Sequence, residues 1–157
     1  MILVSNEGAS AVRCRRWAGL TRDEFFEIAR LRCEVFFVEQ RVDVQDFDDA
    51  DRDPETLHYW VSDAAGCAAY LRFIRLPAPE VGADHGFGRV AVRRDRRGEG
   101  LARLLVDRVL TDKGHLALTI HSQAYIVDLY RPFGFEVVGE PYVEAGLPHR
   151  MMHRRPL

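Results

Sequence analysis

Between residues 86 and 120 the chain holds a strand, a turn, a helix and a second strand, and few folds accommodate that order in so short a span. Gly86-Phe-Gly-Arg-Val-Ala-Val92 reads as a strand with an apolar end. Residues 93–100 form a turn crowded with arginine and punctuated by Gly98 and Gly100, and from there Leu101, Leu104, Leu105 and Val109 recur on one face of a helix. Leu116-Ala-Leu-Thr-Ile120 is a short apolar run of the buried-strand type. Two strands joined by a helical crossover are expected to pair in parallel. The turn also has a chemical reading. The first N–H groups of a helix lack internal partners, the macrodipole places partial positive charge there, and glycine lets a ligand approach the backbone, which together suit a phosphate. A solvated, charged connection is the plain alternative.

The flanking segments extend this unit. Residues 12–17 alternate apolar and polar in the manner of a strand, and Thr21-Arg-Asp-Glu24 has the spacing of a capping box. The helix it opens carries Phe25, Ile28, Ala29, Leu31, Arg32, Val35 and Phe36 at helical spacing, an expected core stripe. Residues 58–62 and 67–76, divided by the turn Asp63-Ala-Ala-Gly66, read as a hairpin; Pro77 and Pro79 are expected to stop its second strand, leaving 80–85 as surface loop. A short helix is expected over 123–131, ending before Pro132. A strand at 133–138, a turn at Gly139-Glu-Pro141 and a last strand from Tyr142 complete the chain. The order β-α-β-β-β-α-β-α-β-β predicts one α/β domain over 1–157, a mixed sheet with helices on both faces.

Charge is unevenly placed. Residues 43–55 carry seven carboxylates against Arg52, whereas residues 89–108 carry seven arginines against Asp95, Glu99 and Asp107. The first segment is expected to be a solvated, partly mobile loop or a rim that attracts cations, and the second to suit a polyanion. A calcium loop at Asp49-x-Asp51-x-Asp53 is excluded, because Pro54 and Trp60 stand where glycine and a bidentate glutamate are required. Neither the six histidines nor the three cysteines show metal-ligand spacing, so no metal is expected. Cys14, Cys33 and Cys67 are expected to be reduced and buried, consistent with a cytoplasmic protein. No apolar run reaches membrane-spanning length, and Met1-Ile-Leu-Val-Ser-Asn-Glu7 does not read as a signal peptide, so no membrane association is expected. The arginines lack interleaved aromatic residues, which speaks against nucleic acid as a partner.

Two separated segments resemble one superfamily. Arg97-Gly-Glu-Gly100-Leu-Ala102 fits the Arg/Gln-x-x-Gly-x-Gly/Ala loop of the GNAT N-acetyltransferases. Residues 123–135, Gln123-Ala-Tyr-Ile-Val-Asp-Leu-Tyr130-Arg-Pro-Phe-Gly134-Phe135, resemble its closing motif, a helix ending in tyrosine ahead of Gly-Phe. Residues 35–40, 45–48, 122–124 and 146–149 are similar to the ElaA-like subfamily, with Val44 where tyrosine is usual and Ala102 where glycine is commoner. The resemblance implies a single-domain GNAT-like fold with a mixed, mostly antiparallel central sheet. It also implies acetyl-CoA as co-substrate, a small-molecule or peptide amine as acceptor, and, as a family-level expectation, a homodimer.

On that resemblance, backbone N–H groups of Arg97, Gly98, Glu99, Gly100, Leu101 and Ala102 would hold the coenzyme phosphates, with Arg94, Arg96 and Arg103 as further phosphate partners. Val90, Ala91 and Val92 would pair with pantetheine like an added strand, one N–H polarising the thioester carbonyl. Gln123 would bond the coenzyme, capping its helix being the alternative, and Tyr130 would protonate the departing thiolate. A lysine-like acceptor costs about 4.6 kcal/mol to deprotonate at pH 7, which asks for a separate base. Glu39, His58, His121 and Glu144 are candidates, His121 having a suitable intrinsic pKa at the end of a strand entering the cleft. Cys33 and Cys67 fall in core-like patterns, so direct attack in a ternary complex is expected rather than an acyl-enzyme. A module that binds the coenzyme with little catalysis is the alternative of a different class.

Overall fold

The computed structural model describes residues 11–157; the opening segment Met1–Glu7, read above for targeting signals, lies outside them. The observed order is β1 (Arg13–Arg15), α1 (Arg22–Arg32), β2 (Leu57–Asp63), β3 (Gly66–Glu80), β4 (Ala83–Val92), α2 (Leu101–Lys113), β5 (Leu118–Gln123), α3 (Val127–Tyr130), β6 (Glu136–Glu144) and β7 (Leu147–Arg154). This is the expected succession. The seven strands form one sheet in the order β1-β2-β3-β4-β5-β7-β6, antiparallel except for β4 and β5.

Helices cover both faces. On one, Ile28, Leu31 and Val35 pack against Trp60, Cys67, Tyr70 and Ala91. On the other, Leu101, Leu105, Val106 and Val109 of α2 pack against Tyr59, Leu71, Phe73, Phe87, Leu118 and Ile120. Val106 replaces Leu104 in the expected stripe: Leu104 is 38% exposed, having rotated past the core edge at 100° per residue. The capping box at Thr21 and Glu24 forms, Thr21 Oγ1 accepting from the Glu24 N–H while the Glu24 carboxylate accepts from Thr21 N–H.

Four local expectations are corrected. Pro77 and Pro79 do not stop β3, which continues to Glu80 where its pairing with β4 is irregular and N–H groups are not needed in the ladder. The expected loop at 80–85 is a tight turn through Val81 and Gly82, both at positive φ, and β4 begins at Ala83. Gly139-Glu-Pro141 is a bulge inside β6, and the last hairpin turns instead at Ala145 and Gly146, again both at positive φ. The helix expected over 123–131 is shorter, a 3₁₀ turn at Ala124–Ile126 leading into α3; it ends before Pro132 as expected, and a further 3₁₀ turn from Arg131 to Phe133 takes the proline near its start, where no N–H is missed.

The single ladder pair joining β4 to β5 is His85 with Leu118. Beyond it the strands separate, and between them opens a cleft of about 740 Å³ lined by Gly86–Val90 on one side and Thr119–Gln123 on the other. The first helix also changes winding as it arrives there. After Arg32 it widens into a π-helical turn, Cys33–Glu39, which brings Cys33, Phe36 and Phe37 to the cleft wall. Cys33 is therefore exposed and Cys14 half-buried, correcting the expectation of three buried thiols; only Cys67 is in the core.

Candidate active site

At the head of α2 the backbone is prepared for an anion. Gly98 and Gly100 both have φ +78°, and a Cβ at either would meet no atom within 4 Å, so glycine is required by the dihedral and not by crowding. Gly100 is the N-cap, offers no side chain to the first helical N–H groups, and no carboxylate stands in the first turn. The Leu101 side chain is buried in the core, so that residue presents only its backbone to the loop. Arg97 donates from Nε to the Val92 carbonyl at 3.1 Å and from Nη2 to the Glu39 carboxylate at 2.7 Å.

The neighbouring arginines are less free than their number suggested. Arg93 and Arg96 both donate to the Asp63 carboxylate, Arg96 at 2.6 Å, and Arg96 also pairs with Glu99 at 2.8 Å. The Arg93 hydrogen bond, joined by that of Arg96, holds Asp63 well below the usual carboxylate range. Arg96 thus already has two carboxylate partners within the fold, while Arg94 and Arg103 are exposed.

Strand β4 reaches the cleft through a bulge. Tyr70 faces Ala91 and Arg72 faces Gly88, so Arg89 and Val90 together oppose one residue of β3. Arg89 adopts φ +52°, a left-handed conformation held by an ion pair from its Nε to Asp46 Oδ1 at 2.7 Å and a hydrogen bond to the Asp46 carbonyl.

Asp46 belongs to the acidic segment, whose expected character as a solvated, partly mobile loop or cation-attracting rim is corrected for Asp46, Asp48 and Asp51, while Asp43, Asp49, Asp53 and Glu55 stay exposed. Arg32, fully buried, donates to Asp46 at 2.9 Å and to Asp51 at 2.6 Å; Arg72 pairs with Asp48 at 2.7 Å and with Asp51 at 3.1 Å. Burial, the largest single influence, would raise Asp51, yet the hydrogen bond and charge of Arg32, the charge of Arg72 and the Asp48 N–H together outweigh it and hold the group low. These three carboxylates answer arginines that are distant in sequence, and Val44–Phe47 line the cleft.

The named site residues divide into three places. Val90, His121, Gln123 and Tyr130 line the cleft, together with Glu144. Ala91 is buried under α1, and Val92 and residues 97–102 continue from the cleft towards α2. Glu39 is not in the cleft lining and is not brought to His121; its partner is Arg97. His58 is buried, its Nδ1 2.6 Å from the Tyr70 hydroxyl and its Nε2 2.9 Å from the Asp51 carbonyl, and burial pushes its pKa down. Gln123 precedes its helical turn without capping it and donates to Gln40 Oε1 at 2.9 Å, spanning from β5 to the end of the π-helical turn. Tyr130 is 3% exposed, packed against Phe87 and Phe135, and desolvation raises its phenol.

His121 makes contacts that periodicity could not foretell. Its Nε2 lies 2.6 Å from Glu80 Oε2, and its Nδ1 is bonded to the Tyr142 hydroxyl. Glu80 and Tyr142 were missed because they sit 41 and 21 residues away. Among the described residues no group of three or more His, Cys, Asp or Glu side chains is placed to hold a metal ion, and no helix is long and apolar enough to cross a membrane.

The family model described as an acetyltransferase (GNAT) domain matches residues 36–155. A UPF0039 protein of Mycobacterium tuberculosis is 33% identical over 143 residues, covering 89% of this chain and 90% of that protein. Protein ElaA of Escherichia coli is 32% identical over 144 residues, covering 86% and 90%, and its crystal structure superposes with a TM-score of 0.83 over 92% of this chain and 99% of that one. An acyl-CoA N-acyltransferase from Pseudomonas aeruginosa, 32% identical, superposes with the same score and the same coverage. A splayed parallel strand pair, a glycine turn heading α2 and these matches agree: the chain belongs to the GNAT acyltransferase family, in its ElaA-like branch.

Proposed function

We propose that this protein transfers an acetyl group from acetyl-CoA to a primary amine by direct attack in a ternary complex. The observation that carries the reading is the splay beyond His85 and Leu118, which leaves the β4 edge at Gly86–Val90 facing an open cleft, with the chain running on from β4 through the glycine turn to the bare N-terminus of α2. An extended pantetheine arm would add to β4 at Val90, Ala91 and Val92, its phosphates meeting the N–H groups of 97–102. The bulge at Arg89 and Val90 interrupts the β3 ladder beside the cleft, and a backbone N–H released there would suit oxyanion stabilisation.

Tyr130 lines that space and, kept neutral by burial, would give its proton to the departing thiolate. Gln123 would bond the pantetheine amides in exchange for Gln40. Cys33 at the cleft wall reopens the covalent route, yet among the described residues no base is bonded to it, which favours attack by the amine itself. His121 is the base best supported, being in the cleft, whereas Glu39 is engaged at the coenzyme loop.

Thiol release from acetyl-CoA over a panel of primary amines, with coenzyme binding followed by calorimetry, tests the reading. Amine-dependent release is the expected result. Binding without release for any amine would turn the protein into a coenzyme-binding module, and loss of activity in Cys33→Ala with binding intact would replace direct attack by an acyl-enzyme.

A further inference from the structure

Three strands bring one side chain each to a cluster at the edge of the cleft, where His121 belongs to the lining and Tyr142 shares a face of β6 with the lining residue Glu144 and pairs across to His149, which also lines it. Glu80 ends β3, His121 lies in β5, and Tyr142 follows the bulge in β6. His121 and Gln123 share a face of β5, so the imidazole looks into the same space as the glutamine assigned above to the coenzyme. Tyr142 is held between two histidine rings, edge-on to His121 with centroids 5.8 Å apart and stacked on His149, also at 5.8 Å. That clamp fixes its hydroxyl against His121 Nδ1. A neutral imidazole has one N–H; beside the Glu80 carboxylate it belongs on Nε2, which leaves Nδ1 to accept from the phenol.

We propose that Glu80, His121 and Tyr142 form a proton relay that deprotonates the acceptor amine, with Tyr142 facing the amine, His121 as the base behind it and Glu80 as the positioning residue that sets the tautomer. The inference rests on the acyl-transfer reading of the same cleft. As the ammonium gives a proton to the Tyr142 oxygen, the phenol passes its own to His121 Nδ1, and the imidazolium is stabilised by Glu80. The freed nitrogen lone pair attacks the thioester carbonyl, the C–N bond forms and the C–S bond breaks. Tyr130 protonates the departing thiolate and regains its proton from the second one lost by nitrogen. The first leaves from His121, whose side chain is 33% exposed, to solvent.

Other charged and titratable groups around this corner are few. Glu144 on β6 lies 3.6 Å from His149 on β7, and His153 on β7 is bonded to Thr119. The phenol of Tyr142 is pushed up to about 12 by burial, with Glu144 and Glu80 adding to it, so it conducts a proton without resting as a phenolate. Sequence reading reached only His121, since periodicity says nothing of which residues meet across strands.

The test uses the full chain with acetyl-CoA, taking spermidine, lysine amide and phenethylamine as acceptors. For Glu80→Gln, which keeps size and hydrogen bonding, the acid limb of kcat/KM is expected to move to lower pH by about one unit, because imidazolium loses its counter-charge. For Tyr142→Phe, kcat is expected to fall on the order of 10²-fold with acetyl-CoA affinity kept. In the unaltered protein, ¹⁵N spectra of His121 are expected to show Nε2–H with Nδ1 accepting. An unmoved acid limb, undiminished turnover in Tyr142→Phe, or an Nδ1–H tautomer would each reduce the cluster to a strap between strands and overturn the relay, while acetyl-CoA binding and amine-dependent thiol release would still uphold the parent reading. Failure of the unaltered protein to bind acetyl-CoA, or to release thiol with any amine, overturns both.

Discussion

A Cβ on Gly86 would lie 2.0 Å from the carbonyl oxygen of Thr119. The two backbones touch there, one residue past the only ladder pair between β4 and β5, and then diverge around the cleft. The point of contact is backbone on backbone, so no side-chain rotation relieves a clash. Glycine is what lets the strands meet and part within so few residues.

Gly86→Ala is therefore expected to destabilise the fold by about 1–3 kcal/mol, as overpacking does, and to weaken coenzyme binding by widening the mouth of the splay. Thermal unfolding and calorimetric titration with acetyl-CoA check both effects. An alanine variant with unchanged melting temperature would show that the strands can part freely at this point.

Glu39 neutralises Arg97 beside the glycine turn, and the pair is partly exposed at 29% and 43%. Glu39→Gln leaves Arg97 free for phosphate, and is expected to tighten acetyl-CoA binding about 2–5-fold, equivalent to about 0.5–1 kcal/mol for a pair of this exposure. Turnover is expected to survive. A collapse of kcat with unchanged coenzyme affinity would instead make Glu39 the base.

Tyr130→Phe removes one oxygen from a buried ring packed on Phe87 and Phe135, so the fold is expected to stand. Turnover should drop on the order of 10²-fold while the coenzyme dissociation constant changes little. Steady-state kinetics and calorimetry on one preparation separate the two quantities; full turnover in the variant would remove Tyr130 from the acid role.

Arg32 answers two carboxylates from a fully buried position. Arg32→Met leaves Asp46 to Arg89 and Asp51 to Arg72, removing the buried member of the network, and is expected to cost about 3 kcal/mol. Arg32→Lys, lacking the forked geometry, should cost less but still be measurable. Because Asp51 is held below its ordinary value, its contribution is present above about pH 4 and is lost as pH falls through the folded value. Acid unfolding of the Met variant should consequently be shallower in its dependence on pH, which circular dichroism reports.

On the alkaline side the sign reverses. Burial raises the phenols of Tyr59, Tyr70 and Tyr130 and brings the Cys67 thiol to about 12, against ordinary values of 10.0 and 9.0. The unfolded chain gives up these protons first. Their stabilisation is complete below 9.0 and is lost as pH climbs through 10.0 towards the folded values. Urea midpoints should fall above pH 9.0, and less steeply in Cys67→Ala once its baseline loss is subtracted.

The chain by itself determined what depends on near neighbours. Period-two and period-3.6 patterns placed seven strands and three helices in order, the capping box opened α1 where Thr21 and Glu24 required, and the glycine turn at 97–102 was legible because glycine alone tolerates those dihedrals. Turn positions in the last hairpin were misread, since Gly139 and Pro141 signal a break equally well whether the break is a turn or a bulge.

Only the tertiary structure decided who meets whom. An aspartate reads the same in sequence whether solvated or bonded to a buried arginine, so the acidic segment looked like a rim until Arg32, Arg72 and Arg89 were found holding it. Likewise Glu80, His121 and Tyr142 come from three strands whose alignment no local signal carries. Local backbone preference acts over a few residues, whereas charge pairing is set by distance in space, and the sheet order brings positions 80, 121 and 142 together.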